Sequence, residues 1–209
     1  MQGDSHLGSK RRPGGRTARN RAAVLDAALA ELVEHGYAET SMEKIATRAG
    51  VATSTVYRRW TNLEGVIQDL ASQFADDVGV PPSGEFFPDS GDLETDLRAL
   101  AEVIVTLYEH VAQRIWLDAM VAAAVRDPAA RETLSGVLAI RIRETSVLVM
   151  RAVKRGEVPA DTDPEEVIRM VGAPFYYRML VTGEPIDFAL AARVAAMVAH
   201  AARAGVFVP

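Results

Sequence analysis

Cysteine is missing altogether from the 209 residues. Its absence excludes a disulfide framework, a thiolate metal site and a cysteine nucleophile. Histidine is scarce, with only His6, His35, His110 and His200. None forms a His-x-x-x-His or Glu-x-x-His pair, and the neighbours in Glu34-His35 and Glu109-His110 point to different helix faces. No apolar run approaches the ~20 residues of a membrane-spanning helix. The N-terminus lacks the apolar stretch of a secretory signal, so the cytoplasm is the expected location. No glycine loop is built to cradle phosphate, and Ser135-Gly136 lacks the setting of a nucleophile elbow. Asp161, Asp163, Glu165 and Glu166 read as a helix cap with first-turn acids favoured by the helix dipole, not as a cation site. The chain thus offers no catalytic residue, no metal site and no cofactor motif, and an enzyme is not expected.

What is present is an ordinary globular composition, 49% apolar and 24% charged, in a chain long enough to bury a sizeable core. The net charge of −5 hides an asymmetry. Residues 1–60 hold 10 Lys+Arg against 6 Asp+Glu, a net of +4, and residues 61–209 hold 13 against 22, a net of −9. An acidic protein with a basic first quarter suggests that this quarter faces a polyanion.

Helical spacing dominates and no segment alternates like a strand, which predicts an all-α fold of about nine helices. Residues 1–16, with Lys10, Arg11, Arg12 and Arg16 around Pro13-Gly14-Gly15, read as a flexible basic arm: a DNA contact or a solubilising tail. Helices follow at about 17–35, 40–49, 53–60, 62–80, 92–108, 111–126, 128–155, 164–181 and 187–204. Residues 81–91 read as a loop, because Pro81-Pro82 cannot continue a helix. Asp127-Pro128 and Asp163-Pro164 each place a cap before a first-turn proline. The expected organisation is an arm (1–16), a DNA-binding domain (17–77) and a second domain (78–209).

Residues 40–60 carry the sharpest signal. Thr40-x-x-Glu43 is a capping box, with Ser41 as the alternative cap one residue on. Met42, Ile45, Ala46 and Ala49 form a buried stripe, Gly50 turns and Val51 plugs the turn. The next helix sends Val56 and Trp60 to the core. It turns Thr53, Ser54, Tyr57 and Arg58 outward, with Thr55 and Arg59 on a flank. That face has hydroxyls, a phenol and guanidinium groups but no acid, and each group can bond phosphate oxygens or base edges. This is the layout of a helix-turn-helix.

Residues 17–70 resemble the DNA-binding domain of the tetracycline-repressor (TetR) family. The matching residues are Ala27-Ala28, Gly36-Tyr37, Thr40-Ser41-Met42, Ile45-Ala46, Ala49-Gly50-Val51 and Thr55-Val56-Tyr57-Arg58-Arg59-Trp60. Gly172 to Arg178 and Val181 to Pro185 resemble one branch of the family's regulatory domains. The resemblance implies an Ω-shaped homodimer on a palindromic operator. It places DNA contacts at Thr40 or Ser41, Thr53, Ser54, Thr55, Tyr57, Arg58 and Arg59. Two positions depart from the pattern. Ala52 replaces a capping serine, a role that Thr53 would take over, and Leu63 replaces a phosphate-contacting lysine. A small-molecule binder that has lost its operator is the alternative these departures keep open, and an activator is the alternative to a repressor.

The last helix argues for a partner on its own terms. Between Phe188 and Ala204 its only polar side chains are Arg193, His200 and Arg203, so it is apolar around most of its circumference. Its own domain can cover one face, and a second subunit the other. The expected dimer interface is Val167, Val171 and Phe175 with Leu190, Val194, Met197, Val198 and Ala201. The resemblance further implies an effector pocket in the second domain. Its candidates are Phe74, Leu107, Tyr108, Trp116, Met120, Met150 and Tyr177, with His110, Arg114 and Arg178 as polar groups. Such a lining suits a hydrophobic or amphipathic ligand.

Overall fold

The computed structural model describes residues 14–77, 87 and 89–209. These form ten α-helices and no strand: α1 Gly14–His35, α2 Met42–Ala49, α3 Thr53–Arg59, α4 Leu63–Asp77, α5 Leu93–Glu109, α6 Val111–Ala124, α7 Pro128–Thr145, α8 Val147–Arg155, α9 Pro164–Tyr177 and α10 Phe188–Arg203. α7 and α8 follow one helical path. Ser146 keeps right-handed helical backbone, donates its N–H to Ile142 O at 2.9 Å and accepts from Met150 N at 3.0 Å. The Ser146 hydroxyl also donates to Ile142 O at 2.7 Å, and that of Thr145 to Arg141 O at 2.8 Å. This back-bonding disturbs the ladder locally. Counting α7–α8 as one gives the nine helices expected.

The helix starts follow their caps. Asp92, Asp127, Asp163 and Asp187 each accept from first-turn amides of α5, α7, α9 and α10. Asp163 bonds the N–H groups of Glu165 and Glu166, and both acids pair with Arg169, so this cluster is a helix start. α1 begins at Gly14, which takes Gly14–Arg16 out of the expected arm. Lys10, Arg11 and Arg12 lie outside the described residues.

Two cores hold the helices, and they do not divide at residue 78. Leu25, Ile45, Val56, Ile67 and Phe74 of α1–α4 share the first with Trp116 and Met120 of α6 and Val137 of α7. The second joins α5, α8, α9 and α10 through Leu97, Ala101, Leu148, Val171, Phe175 and Val194. Each such large side chain contributes about 1.5–3 kcal/mol on burial. Polar contacts also tie α7 to α4 and to the connection between α1 and α2. Tyr37 Oη and Thr133 Oγ1 lie 2.8 Å apart, and Arg141 donates to Ala71 O at 3.2 Å.

The second core corrects most of the expected dimer interface. Val167, Val171, Phe175, Leu190, Val194 and Val198 are buried within one protomer, packed among the side chains of α5 and α8. Only Met197, 55% exposed, and half-buried Ala201 face outward. α9 and α10 nevertheless leave apolar side chains uncovered: Met170, Tyr177, Leu180 and Val181 on α9 and the turn after it, Phe188 and Met197 on α10. Pro174 lies inside α9 and cannot donate to the carbonyl four residues earlier. The chain then widens into a π turn over Arg178–Thr182 that ends at Gly183, φ 66°.

Candidate nucleic-acid interface and ligand cavity

The turn between α2 and α3 is made by Gly50 at φ 65°, left-handed backbone that costs a residue without a side chain little. Its N–H reaches Thr47 O at 3.2 Å, and Val51 N reaches Ala46 O at 3.1 Å, which closes α2. Val56 and Trp60 then anchor α3 in the first core, while Ser54, Tyr57, Arg58 and Arg59 are exposed and Thr53 and Thr55 half-buried. The expected acid-free face is therefore present.

Two local expectations change. Ser41, not Thr40, caps α2 by accepting from Lys44 N at 3.2 Å. Thr40 is buried, and its hydroxyl donates its one proton to Gly36 O at 2.8 Å. Thr53 does not take over the α3 cap. It is the first helical residue, and Ala52 stands at the cap with no side-chain bond. Leu63 is half-buried against the first core, which gives its apolar side chain a structural use.

The cations around the motif differ in freedom. Arg48 is held by Glu31 at 2.6 Å and by Glu34, bonds that raise its pKa further above the ordinary arginine range. Lys44 donates to Glu39 O at 2.7 Å and pairs with its carboxylate at 3.2 Å. Arg59 lies over the Trp60 ring, 5.3 Å from its centroid, with Asp69 at 3.7 Å. Arg58 has no ion-pair partner among the described residues. It is the free charge of α3. Tyr57 donates to Glu43 Oε1 at 2.9 Å, which raises the phenol pKa. The Glu43 carboxyl is held below its ordinary range by its own backbone N–H, then by Tyr57 and Ser41.

Asp69 fixes the base of α3. It accepts from Arg21 at 2.6 and 3.0 Å and from Trp60 Nε1 at 3.0 Å. Burial opposes its ionisation, but Arg21, then Trp60 and Arg59, outweigh burial and lower its pKa. A cleft of about 570 Å³ separates Arg16, Thr17, Asn20 and Arg21 of α1 from Thr55, Arg58 and Arg59 of α3.

A cavity of about 410 Å³ lies between α4, α5, α6, α7 and α9. Of the ten expected pocket residues, Leu107 and Trp116 line it. Phe74 and Met120 belong to the filled first core, and Met150 and Tyr177 are exposed. Tyr108 stacks on Arg114, whose guanidinium lies 5.7 Å from its ring centroid. His110 caps α6 by accepting from Gln113 N at 3.3 Å, and Arg178 is tied to Pro185 O and Glu184. Tyr176, one residue before the expected tyrosine, is the one on the wall, with Gln113, Arg141 and Glu144 as further polar neighbours.

Known proteins share both halves of this arrangement. Residues 24–70 match the family model "Bacterial regulatory proteins, tetR family", and residues 87–198 match "Tetracyclin repressor-like, C-terminal domain". The DNA-binding transcriptional repressor TetR of Mycobacteroides abscessus is 32% identical over 178 residues, 83% of this chain and 88% of that protein. The HTH-type transcriptional regulator YdeS of Bacillus subtilis is 29% identical over 79% of this chain and 80% of its own. A TetR-family regulator from Syntrophomonas wolfei shares the fold with a TM-score of 0.68 at 15% identity, covering 88% of this chain and 95% of that one. With a helix-turn-helix that matches over residues 24–70, a second domain that matches over residues 87–198 and a relative 32% identical over most of both chains, the chain belongs to the tetR family of bacterial regulatory proteins, helix-turn-helix transcriptional regulators and not enzymes.

Proposed function

We propose that the protein is a cytoplasmic repressor that works as a homodimer on a palindromic operator and is released by a small hydrophobic or amphipathic ligand. The observation that carries the DNA reading is the exposed face of α3. Arg58 has no ion-pair partner there among the described residues, Ser54 and Tyr57 flank it, and the cleft beside it leads to Arg16 of α1. Arginine and hydroxyl groups in that setting suit phosphates and base edges alike. Ser41, Thr53, Thr55 and Arg59 border the same surface.

The dimer reading rests on the uncovered side chains of α9 and α10. Tyr177, Phe188 and Met197 are about half exposed, at 58%, 53% and 55%. An apolar face of that kind calls for cover by a second copy. Two copies present two recognition helices to successive major grooves. The ligand reading rests on the cavity and on its connection to α4. Arg141 lines the cavity and holds the Ala71 carbonyl, while Asp69, two residues earlier on α4, holds Trp60 at the end of α3. A ligand that favours another position of α7 would shift α4 and with it the spacing of the recognition helices.

A gel shift with DNA from upstream of its own and neighbouring genes, repeated with a panel of hydrophobic compounds, tests the proposal. A specific shift released by a compound is the expected result. No shift on any fragment would instead favour a small-molecule binder without an operator.

A further inference from the structure

The charges that line the cavity are already matched, whereas three of its neutral polar groups are not. Arg141 faces Glu144 at 3.4 Å and donates to Ala71 O at 3.2 Å. Arg169 pairs with Glu165 at 2.7 Å and Glu166 at 3.4 Å. By contrast, the buried Trp116 indole N–H has no acceptor and the buried Gln113 Oε1 no donor among the described residues. These two residues stand three apart on α6 and so share a face. From α9, the Tyr176 phenol lines the same cavity and makes no hydrogen bond among the described residues. Burial pushes that phenol up to about 12, so it remains a neutral donor at any physiological pH. The remaining wall is mostly aliphatic, with Leu100, Ile104, Leu107, Leu138, Ile142 and Ile168.

Buried polar groups without partners are unfavourable, and a ligand that pairs them removes that cost. Moving a charged head into an apolar cavity is unfavourable unless a free counter-charge waits there. A carboxylate or phosphate would arrive beside Glu144 and find both arginines engaged. An ammonium group would find Glu144 engaged by Arg141.

We infer that the cavity takes an uncharged amphiphile, an aliphatic body with one hydroxyl or carbonyl head that pairs with Trp116 and Tyr176. The indole N–H and the phenol donate to the head oxygen. Gln113 can turn its amide to offer either atom, so it accepts from a hydroxyl or donates to a carbonyl. This inference rests on the proposed reading of the cavity as the effector site and narrows the ligand's chemistry.

Calorimetry on the full chain at pH 7.5 tests it with four probes of one chain length: 1-decanol, 2-decanone, decanoate and decylamine. The alcohol and the ketone are expected to bind roughly tenfold or more tightly than either ion. Tyr176→Phe and Trp116→Phe, checked for native helicity and operator binding, should each weaken 1-decanol several-fold. Tyr176→Phe provides the readout if the change at Trp116, which also packs on Phe74, impairs folding. Tighter binding of decanoate or decylamine, or unchanged 1-decanol binding in the folded variants, would overturn the neutral-head assignment and leave the effector site standing. If none of the four probes binds while the protein still holds its operator, the effector reading of the cavity fails, and this inference with it.

Discussion

The first four helices and the last two handle unsatisfied groups in opposite ways. Around α1–α4, charges are closed off locally: Asp69 gathers Arg21 and Trp60, and Glu31 and Glu34 take Arg48. Arg58 and Arg16, on the face argued to meet DNA, have no ion-pair partner among the described residues. Along α9 and α10, apolar side chains such as Tyr177, Phe188 and Met197 stay exposed, and the cavity beside α9 keeps polar groups without partners among the described residues. On the proposed reading, the unit that presents a helix to DNA is completed by its own residues, and the unit proposed to take a ligand and a second copy is left for them to complete.

The sharpest way to break this contrast lies within α10, where Val194 and Met197 stand three residues apart. Val194 is buried in the protomer's own core, so Val194→Glu should cost about 4 kcal/mol or more and erase a cooperative thermal transition followed by circular dichroism. Met197→Glu should keep the helical spectrum and shift the sedimentation velocity profile from dimer to monomer. A Val194→Glu protein that folds normally as a monomer would return that residue to the interface.

Asp69→Asn probes the closed region. It should lower stability by about 2 kcal/mol at pH 7 in urea titrations, because a half-buried group loses its charge opposite Arg21 and one of the two acceptor oxygens that serve Arg21 and Trp60. The folded-state pKa of Asp69 is depressed, so its contribution is present above the unfolded value of about 3.9 and is lost as pH falls through the lower folded value. The gap between variant and native protein should therefore close only in strongly acidic solution. A gap that closes near neutrality would place the effect elsewhere.

Arg58→Ala probes the open charge. Operator affinity should drop about tenfold, and the slope of log K against log salt should flatten by about one, read by fluorescence anisotropy. Arg48→Ala should leave that slope nearly unchanged, since Arg48 is committed to Glu31 and Glu34. The smallest effect is expected from Glu43→Gln. Removing a carboxylate next to Tyr57 should slightly strengthen binding to random-sequence DNA in the same assay. Weaker non-specific binding would mean that Glu43 serves chiefly to position the phenol.

The fold was legible wherever a local rule decides the outcome. Asp163-Pro164 starts α9 as a cap and a first-turn proline should, and Gly50 makes the turn of the motif. Val56 and Trp60 point inward because α3 is short and apolar on one side only. The cap of α2 was uncertain by one residue, because Thr40 and Ser41 both carry suitable hydroxyls. Only the carbonyl of Gly36, reached by Thr40, separates them. The faces of α10 were not legible, because a helix that is apolar nearly all round does not reveal which neighbour covers which side. The cavity was least legible. A gap between five helices depends on how they lean against one another, so Tyr176 lines it while the adjacent Tyr177 faces outward.

The central claim is that the α3 face acts in pairs on one operator. A footprint on the DNA upstream of its own gene tests it most directly. The account predicts two protected half-sites related by a dyad and centred about one helical turn, or a multiple of it, apart. A single protected half-site without symmetry, or uniform weak protection along the fragment, would contradict it.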